Sequence, residues 1–551
     1  MDITRRTFAA GAVGFALSAR LAAPAFAQTS PQLAGAIAAI RAHGTQHLHK
    51  FSLPGMTLAL TAPGGFASVL DFGFANADSR QPITPDTLFQ VGSISKSMTA
   101  ALIHQLAAER RLSLEDRVSA LLPTIPLPSG NAITVQHLLD HTAGLPDDPP
   151  LFPEGGLWLG YKPGEHWHYS NTGYRMLGII AEHAGGKPLG QLFSERLFQP
   201  LKMHRSRGAI VAADRALYAQ GYEPADLTMP VARGVPLAPA AWVDVTFGAG
   251  SVASTADDMI HWLRALADAA QGRGGFGLNP QQAQAFTSHL VPSDTPGMSY
   301  GNGLMHVGGN GRSYLHHTGG MVSFSSSLHV DVASGVGAFA SSTMSAFAEY
   351  RPRILTRFAV DALTEALAGR PVPAAPSLDV PFGNAAAYIG HYSGPAGAFE
   401  VRAGAPLTLV ANGREAALQP WGDNLFRTTH PDFRAFTLKF EGKGTPIGAS
   451  WGPASYVREG SGAALPKSDP LLARLAGRFV NDSPWWGAVV VVERGGALWL
   501  GTDTPMTRVG DNLWRVGEEA WTPERASFAN VIDGRPQTFI FSGEEFLRHD
   551  V

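Results

Sequence analysis

The last third of the chain repeats itself. Tyr388-Ile389-Gly390-His391-Tyr392 returns as Leu475-Ala476-Gly477-Arg478-Phe479, and Gly422-Asp423-Asn424-Leu425-Phe426-Arg427 returns as Gly510-Asp511-Asn512-Leu513-Trp514-Arg515. Ser455-Tyr456-Val457-Arg458 then returns as Glu545-Phe546-Leu547-Arg548, and all three spacings are about 90 residues. A duplicated unit is the simplest account. Each copy reads as β structure: segments 398–401 and 407–410 flank a Gly-Ala-Pro turn, and 488–492 and 497–500 flank Gly495-Gly496, a hairpin signal. Short strands between Gly, Pro and Asn turns predict a small antiparallel barrel for each copy. Neither copy carries a catalytic constellation, so packing, solubility or the shaping of access to a neighbouring site is the role expected of them.

Two seams delimit these copies. Arg370-Pro371-Val372-Pro373-Ala374-Ala375-Pro376 lacks hydrophobic periodicity and reads as a stiff linker over 369–381, and a softer linker covers 461–470. The barrels then occupy 382–460 and 471–551. At the other end, Thr4-Arg5-Arg6-Thr7-Phe8, an apolar stretch to Leu17 and Ala25-Phe26-Ala27 resemble a twin-arginine export signal over 1–27. Later in the chain no run approaches the roughly 18 apolar residues of a membrane-spanning helix. The expected location is therefore the periplasm or outside the cell, with no stable membrane insertion after signal cleavage.

Composition narrows the chemistry. A net charge of -3 gives no basic surplus for nucleic acid, and the absence of cysteine excludes disulfides, thiolate catalysis and cysteine-ligated zinc. His316-His317 and His166-x-His168 invite a metal reading, but no His-Glu-x-x-His or carboxylate cluster accompanies them, so neither metal nor cofactor is expected.

The segment 28–368 mixes helical spacing (98–106, 176–184, 259–267) with strand-like runs (56–60, 328–330, and late strands within 321–342), an α/β or α+β pattern. Within it three short motifs follow in order: Ser93-Ile94-Ser95-Lys96, Tyr169-Ser170-Asn171 and His317-Thr318-Gly319. If Ser93 opens a helix, residues three apart share a face and the Lys96 amine reaches the Ser93 hydroxyl. Serine is a poor nucleophile without a base, and a helix N-terminus and burial both favour the neutral amine. An N-cap serine followed by a solvent lysine would show the same four letters. Ser95 and Ser97 read as helix-start residues.

Tyr169 and Asn171 alternate in extended chain, so both side chains project one way with Ser170 turned aside. Tyr169 can then pass a proton between the Ser93 oxygen and a leaving group, and Asn171 can bond the acyl side. A loop after Pro163-Gly164 would hold the same residues for ordinary reasons. Trp158, His166, Trp167 and His168 are candidates to line a pocket. Glycines after His317 let substrate backbone approach, and the Gly320 N–H can complete an oxyanion hole with that of Ser93.

These motifs, with Leu138-Leu139-Asp140-His141-Thr142-Ala143-Gly144-Leu145-Pro146, Pro163-Gly164-Glu165 and Gly250-Ser251-Val252-Ala253-Ser254-Thr255-Ala256-Asp257-Asp258, resemble the β-lactamase-related, penicillin-recognising serine hydrolases. The resemblance covers about residues 28–368. It implies a β-lactamase/transpeptidase-like catalytic domain, a helical cluster joined to an antiparallel sheet, here followed by two small antiparallel β-barrels. Ser93 would be the acylated nucleophile, Lys96 its base, Tyr169 the proton shuttle and Asn171, His317, Thr318 and Gly319 substrate-binding residues.

One departure bears on substrate. Class C β-lactamases and carboxypeptidases carry Lys-Thr-Gly where this chain has His317, at best partly charged near neutrality. His-x-Gly and the two barrels are similar to D-aminopeptidases. The favoured expectation is an exported serine hydrolase cleaving small amides through an acyl-enzyme, with peptides bearing an N-terminal D-residue as substrates. A carboxylesterase, weak β-lactamase or D-alanyl-D-alanine carboxypeptidase is the second reading, and a non-catalytic protein binding peptidoglycan fragments the third. If a barrel loop enters the cleft, the pocket admits only short substrates.

Overall fold

A computed structural model describes residues 19–20, 30–130, 132–380 and 382–549. The part of the chain ahead of the barrels is built on a nine-stranded antiparallel sheet in the order Ala19–Arg20, Ala67–Gly73, Gly55–Thr61, Gly337–Ser342, Ser325–Asp331, Arg312–Gly320, Leu304–Gly309, Met298–Gly301 and Val291–Pro292. Both faces are covered. The helices Pro31–Lys50 and Arg353–Leu367 lie on one and Ala256–Ala270 on the other. Strand alternation sorts the side chains accordingly: Leu58, Leu60, Ala338 and Ala340 join the first core, while Ala59 and Phe339 join the second.

Burial on both faces explains why the central strands read poorly from hydrophobicity. The apolar run Leu328–Val330 is only the end of a strand that begins at Ser325. Its three serines are buried and paired: Ser325 Oγ with Ser342 Oγ at 2.9 Å, Ser326 Oγ donating to Val91 O at 2.7 Å, and Ser327 Oγ with Thr356 Oγ1 at 3.0 Å. Paired hydroxyls remove the penalty that buried polar groups otherwise carry.

The helical cluster surrounds Ser95–Ala108, a helix whose residues from Ser95 to Ile103 are all buried. It packs against Asn171–Gly185, whose apolar face carries Met176, Leu177 and Ile180. A helix that is enclosed on all sides needs no amphipathic stripe, which is why small residues such as Ala100 and Ala101 serve there.

The two C-terminal units are alike in construction. Residues 390–458 form a nine-stranded sheet whose terminal strands, Arg414–Ala417 and Gln419–Gly422, follow each other in the chain, a nearly closed barrel. Residues 477–548 form a closed eight-stranded barrel. The repeated motifs occupy corresponding places. Tyr392 and Phe479, Phe426 and Trp514, and Tyr456 and Phe546 are the buried aromatics of the respective cores. Asn424 and Asn512 both take positive φ (57° and 52°), the conformation Asn tolerates in tight turns, and a register shift precedes each turn. Arg458 and Arg548 both reach back to carbonyls near the first strand, Ile389 O at 2.6 Å and Ala476 O at 3.1 Å.

Of the N-terminal export segment only Ala19 and Arg20 are described, pairing with Leu70 and Val69; Arg5, Arg6 and Ala25-Phe26-Ala27 lie outside the described residues. No described helix is long and apolar enough to cross a membrane.

Candidate active site

Ser93 lies in a 3-10 turn, Gly92–Ile94, and the α-helix begins only at Ser95, so Ser93 precedes the helix rather than opening it. The spacing of three still brings Lys96 Nζ within 3.0 Å of Ser93 Oγ. Gly92 takes φ 56°, and a Cβ there would come within 2.8 Å of Gly320 N. A Cβ on Gly319 would lie 1.9 Å from Val91 O. Gly319 therefore admits the backbone ahead of Ser93, a close approach within the protein itself. That contact is what sets Gly320 beside Ser93. Met321 N donates to Phe324 O at 2.8 Å, so by the alternation of an antiparallel ladder the Gly320 N–H, one residue earlier, faces away from its ladder partner.

Lys96 has three neighbours. Its amine donates to Asn171 Oδ1 at 2.6 Å and Ala249 O at 3.1 Å and meets Ser93 Oγ at 3.0 Å. Burial lowers its pKa to about 7 against the opposing pull of Asp147 and Asp148. A neutral amine has two N–H bonds and one lone pair. With the two carbonyl oxygens taking the N–H bonds, the lone pair is left for the Ser93 hydroxyl. The Tyr169 hydroxyl hydrogen-bonds the Ser93 side chain from another side, and burial pushes its pKa above the ordinary phenol value. Above about pH 7, then, the Lys96 amine is neutral and able to accept a proton, while the Tyr169 phenol stays protonated.

Tyr169 and Asn171 do reach the same place, but not as alternate residues of a strand. Ser170 is the N-cap of Asn171–Gly185, accepting from Gly173 N at 3.2 Å and donating to Pro146 O at 2.8 Å, and Asn171 is the first helical residue. His141 brackets Tyr169: its carbonyl accepts from His168 N at 2.9 Å and its Nδ1 from Ser170 N at 3.1 Å. The ring of His141 packs 4.3 Å from that of Tyr169, and burial keeps it neutral. Ser95 Oγ accepts from Val252 N and Ser97 Oγ donates to Ile94 O, so both serve the scaffold.

His317 is enclosed. Its Nδ1 lies 2.6 Å from Thr318 O and its Nε2 3.3 Å from Tyr300 OH, and burial, with Lys96 nearby, lowers its pKa to about 3. The imidazole is neutral throughout the physiological range. Thr318 and Gly320 are half-buried on the same strand. Arg351 brings a guanidinium to this edge: its Nη2 would lie 2.4 Å from a Cβ on Gly320, and it interacts electrostatically with Tyr169. No group of His, Asp and Glu among the described residues could hold a metal ion.

Sequence reasoning missed the carboxylates. Asp147 Oδ1 accepts from Asn171 N at 3.2 Å and Asn171 Nδ2 at 3.0 Å. Asp148 pairs with Arg175 at 2.8 Å. Glu524 comes from the second barrel, accepting from Asp147 N at 2.8 Å, pairing with His168 Nε2 at 2.9 Å and accepting from Ser542 Oγ. Burial pushes the Glu524 carboxyl up, but these partners outweigh it and hold it below its usual range.

Glu524 belongs to a loop that docks beside the site. Trp158 Nε1 donates to Pro523 O at 2.7 Å, and His166 stacks on Trp521 at 4.6 Å. A Cβ on Gly160 would lie 2.4 Å from Trp521 O. Trp158, His166 and His168 thus receive the barrel loop, while Trp167 is buried against His141, Tyr169 and Tyr300. No local signal at 521–524 marks these contacts; the tryptophans and histidines of 158–168 were the visible half.

The family model described as Beta-lactamase matches residues 34–359, and the chain belongs to that family. A beta-lactamase from Pseudomonas fluorescens is 29% identical over 223 residues, 38% of this chain and 59% of the relative, so the match spans about three fifths of that protein. Among solved structures, the octameric penicillin-binding protein homologue from Pyrococcus abyssi covers 77% of this chain and 100% of its own, with a TM-score of 0.54 and 21% identity, a likeness of fold. The D-amino acid amidase from Ochrobactrum anthropi SV3, complexed with L-phenylalanine, covers 60% of this chain and 99% of its own, with a TM-score of 0.50 and 25% identity.

Proposed function

We propose that this protein is an exported serine hydrolase that cleaves small amides through an acyl-enzyme on Ser93, with peptides bearing a free N-terminal D-residue as its substrates. The observation that carries the reaction type is the Lys96 amine, whose N–H bonds are taken by Asn171 Oδ1 and Ala249 O while Ser93 Oγ stands at 3.0 Å. Lys96 takes the Ser93 proton as Oγ attacks the carbonyl carbon. The N–H groups of Ser93 and Gly320 stabilise the oxyanion, an interaction for which each donor contributes about 3 kcal/mol. Collapse breaks the C–N bond as Tyr169 gives its proton to the leaving amine, and Lys96 restores the Tyr169 proton. Water then repeats the sequence on the ester.

Substrate choice is argued from charge and closure. His317 is neutral where relatives use lysine to hold a carboxylate, and the Asp147 carboxyl stands on Asn171 with Asp148 and Glu524 beside it, acidic surroundings that suit an α-ammonium. The 521–524 loop docks on Trp158 and His166, close in sequence to Tyr169, and a barrel held at that edge favours short chains. The likeness to a D-amino acid amidase supports the same choice. Arg351 favours a second reading, a carboxypeptidase or weak β-lactamase, since its guanidinium can meet a substrate carboxylate.

A fluorophosphonate probe tests the reaction and a substrate panel tests the choice. Labelling that fails in the wild type, or persists in Ser93→Ala, rejects the acyl-enzyme. D-alanine p-nitroanilide should exceed nitrocefin and p-nitrophenyl acetate in kcat/KM; a dominant ester would point to a carboxylesterase.

A further inference from the structure

The Asn171 amide is held at both ends. Its oxygen takes the shortest bond of the Lys96 amine, 2.6 Å, and its Nδ2 donates to Asp147 Oδ1 at 3.0 Å, beside a second bond from its own backbone N at 3.2 Å. An amide can present either end to a neighbour, and the partners decide which. Turned over, Asn171 would set an N–H against the Lys96 N–H bonds and its oxygen against the Asp147 carboxylate, two repulsive contacts in place of two hydrogen bonds. Lys96 would then turn its lone pair toward the Asn171 N–H and away from the competing Ser93 hydroxyl.

From this chain of contacts we infer that Asp147 is a positioning residue for the general base: its carboxylate fixes the Asn171 amide with the oxygen toward Lys96, and so aims the Lys96 lone pair at the Ser93 hydroxyl. The inference deepens the serine-hydrolase reading and rests on it. Asp147 is itself anchored through its main chain, its N–H on Glu524 Oε1 at 2.8 Å and its carbonyl accepting from Thr172 N at 3.0 Å. The side chain is thus free to act on Asn171 without carrying the loop. It also divides the labour of the second motif. One Asn171 donor is committed to Asp147, so only the remaining N–H can serve substrate.

The charged and titratable groups around the Asp147 carboxyl come from every element packed there: Asp148 on its own loop, Lys96 on the buried helix, Arg175 on the Asn171 helix, and Glu524 with its partner His168 from the barrel interface. His141 and Tyr169 stand on the Lys96 side and Arg351 beyond Tyr169. Burial and the two neighbouring carboxylates raise the Asp147 carboxyl, while its Asn171 bonds and Lys96 oppose this. Its negative charge in turn stabilises the Lys96 ammonium.

The test uses the full chain and the rate of fluorophosphonate labelling, with kcat/KM on D-alanine p-nitroanilide across pH. Asp147→Ala should label about 100-fold more slowly, the loss typical of a displaced catalytic group. Added to Asn171→Ala, the same substitution should cost little more, because both act on one amine. Asp147→Asn keeps an acceptor for Asn171 and loses the charge, so it should fold normally and move the acid limb of kcat/KM to lower pH. Equal losses from Asp147→Ala in the wild-type and Asn171→Ala backgrounds, no loss in either, or an unmoved limb in Asp147→Asn overturns the inference. A wild type that does not label, or a Ser93→Ala that does, defeats the serine-hydrolase reading instead, so the two failures are distinct.

Discussion

The indole N–H of Trp158 donates to the carbonyl of Pro523 at 2.7 Å, joining the catalytic region to a barrel whose sequence lies far downstream. Through this contact and the Glu524–His168 pair, the second barrel is joined to the segment that carries Tyr169. Displacing the loop should therefore change what the site accepts. In Gly160→Val the new side chain would overlap Trp521 O and Pro523 N, so the loop must shift. The expected result is a lower KM for longer peptides relative to dipeptides, measured over a length series, with Ser93 labelling retained. An unchanged length preference would refute closure by the loop.

The acid limb of kcat/KM should fall near pH 7. Lys96 must be neutral to accept the Ser93 proton, and its pKa is lowered to about 7, so activity rises as pH climbs through that value. Because Asp147 titrates in the same range, the limb belongs to the pair. Lys96→Met should lose about 10²- to 10⁴-fold in kcat, the usual contribution of a general base, in pre-steady-state and steady-state assays alike.

His317→Lys should shift selectivity toward substrates with a carboxylate. A neutral imidazole gives way to an ammonium, and a charge-assisted bond contributes about 1.5–3 kcal/mol. Nitrocefin kcat/KM is expected to rise about tenfold or more relative to D-alanine p-nitroanilide. Competition between the two substrates in one assay checks the direction.

Glu524→Gln should destabilise the protein in a pH-dependent way. The folded carboxyl is held below its unfolded value, so its stabilising effect is present above that unfolded value and is lost as pH falls through the folded one. Thermal melts of the variant should lie below those of the wild type at pH 7 and converge with them as pH falls below the range in which the folded carboxyl titrates. A constant difference across that range would mean that the charge contributes nothing.

Much of the fold was legible because its periodicity is local. The 98–106, 176–184 and 259–267 spacings correspond to the helices Ser95–Ala108, Asn171–Gly185 and Ala256–Ala270. The late strands expected within 321–342 are Ser325–Asp331 and Gly337–Ser342, and the serines at 325–327, polar in sequence, are paired inside because burial there is two-sided. Asn171 was read as extended chain because nothing ahead of it announced the Ser170 cap as clearly as the apolar run announced Met176.

Legible along the chain are the Ser93–Lys96 spacing that one helical turn converts to a contact, the order of three motifs, and the paired aromatic positions of two barrels. Tertiary structure alone decided the charge states and the neighbours. His317 is neutral because it is buried, Asn171 is oriented because Asp147 lies 3.0 Å away, and Glu524 enters because a distant loop docks on Gly160. Spacing along the chain sets which side chains share a helix face. Desolvation and hydrogen bonds depend on distance in space, and those distances exist only once the separate units have packed together.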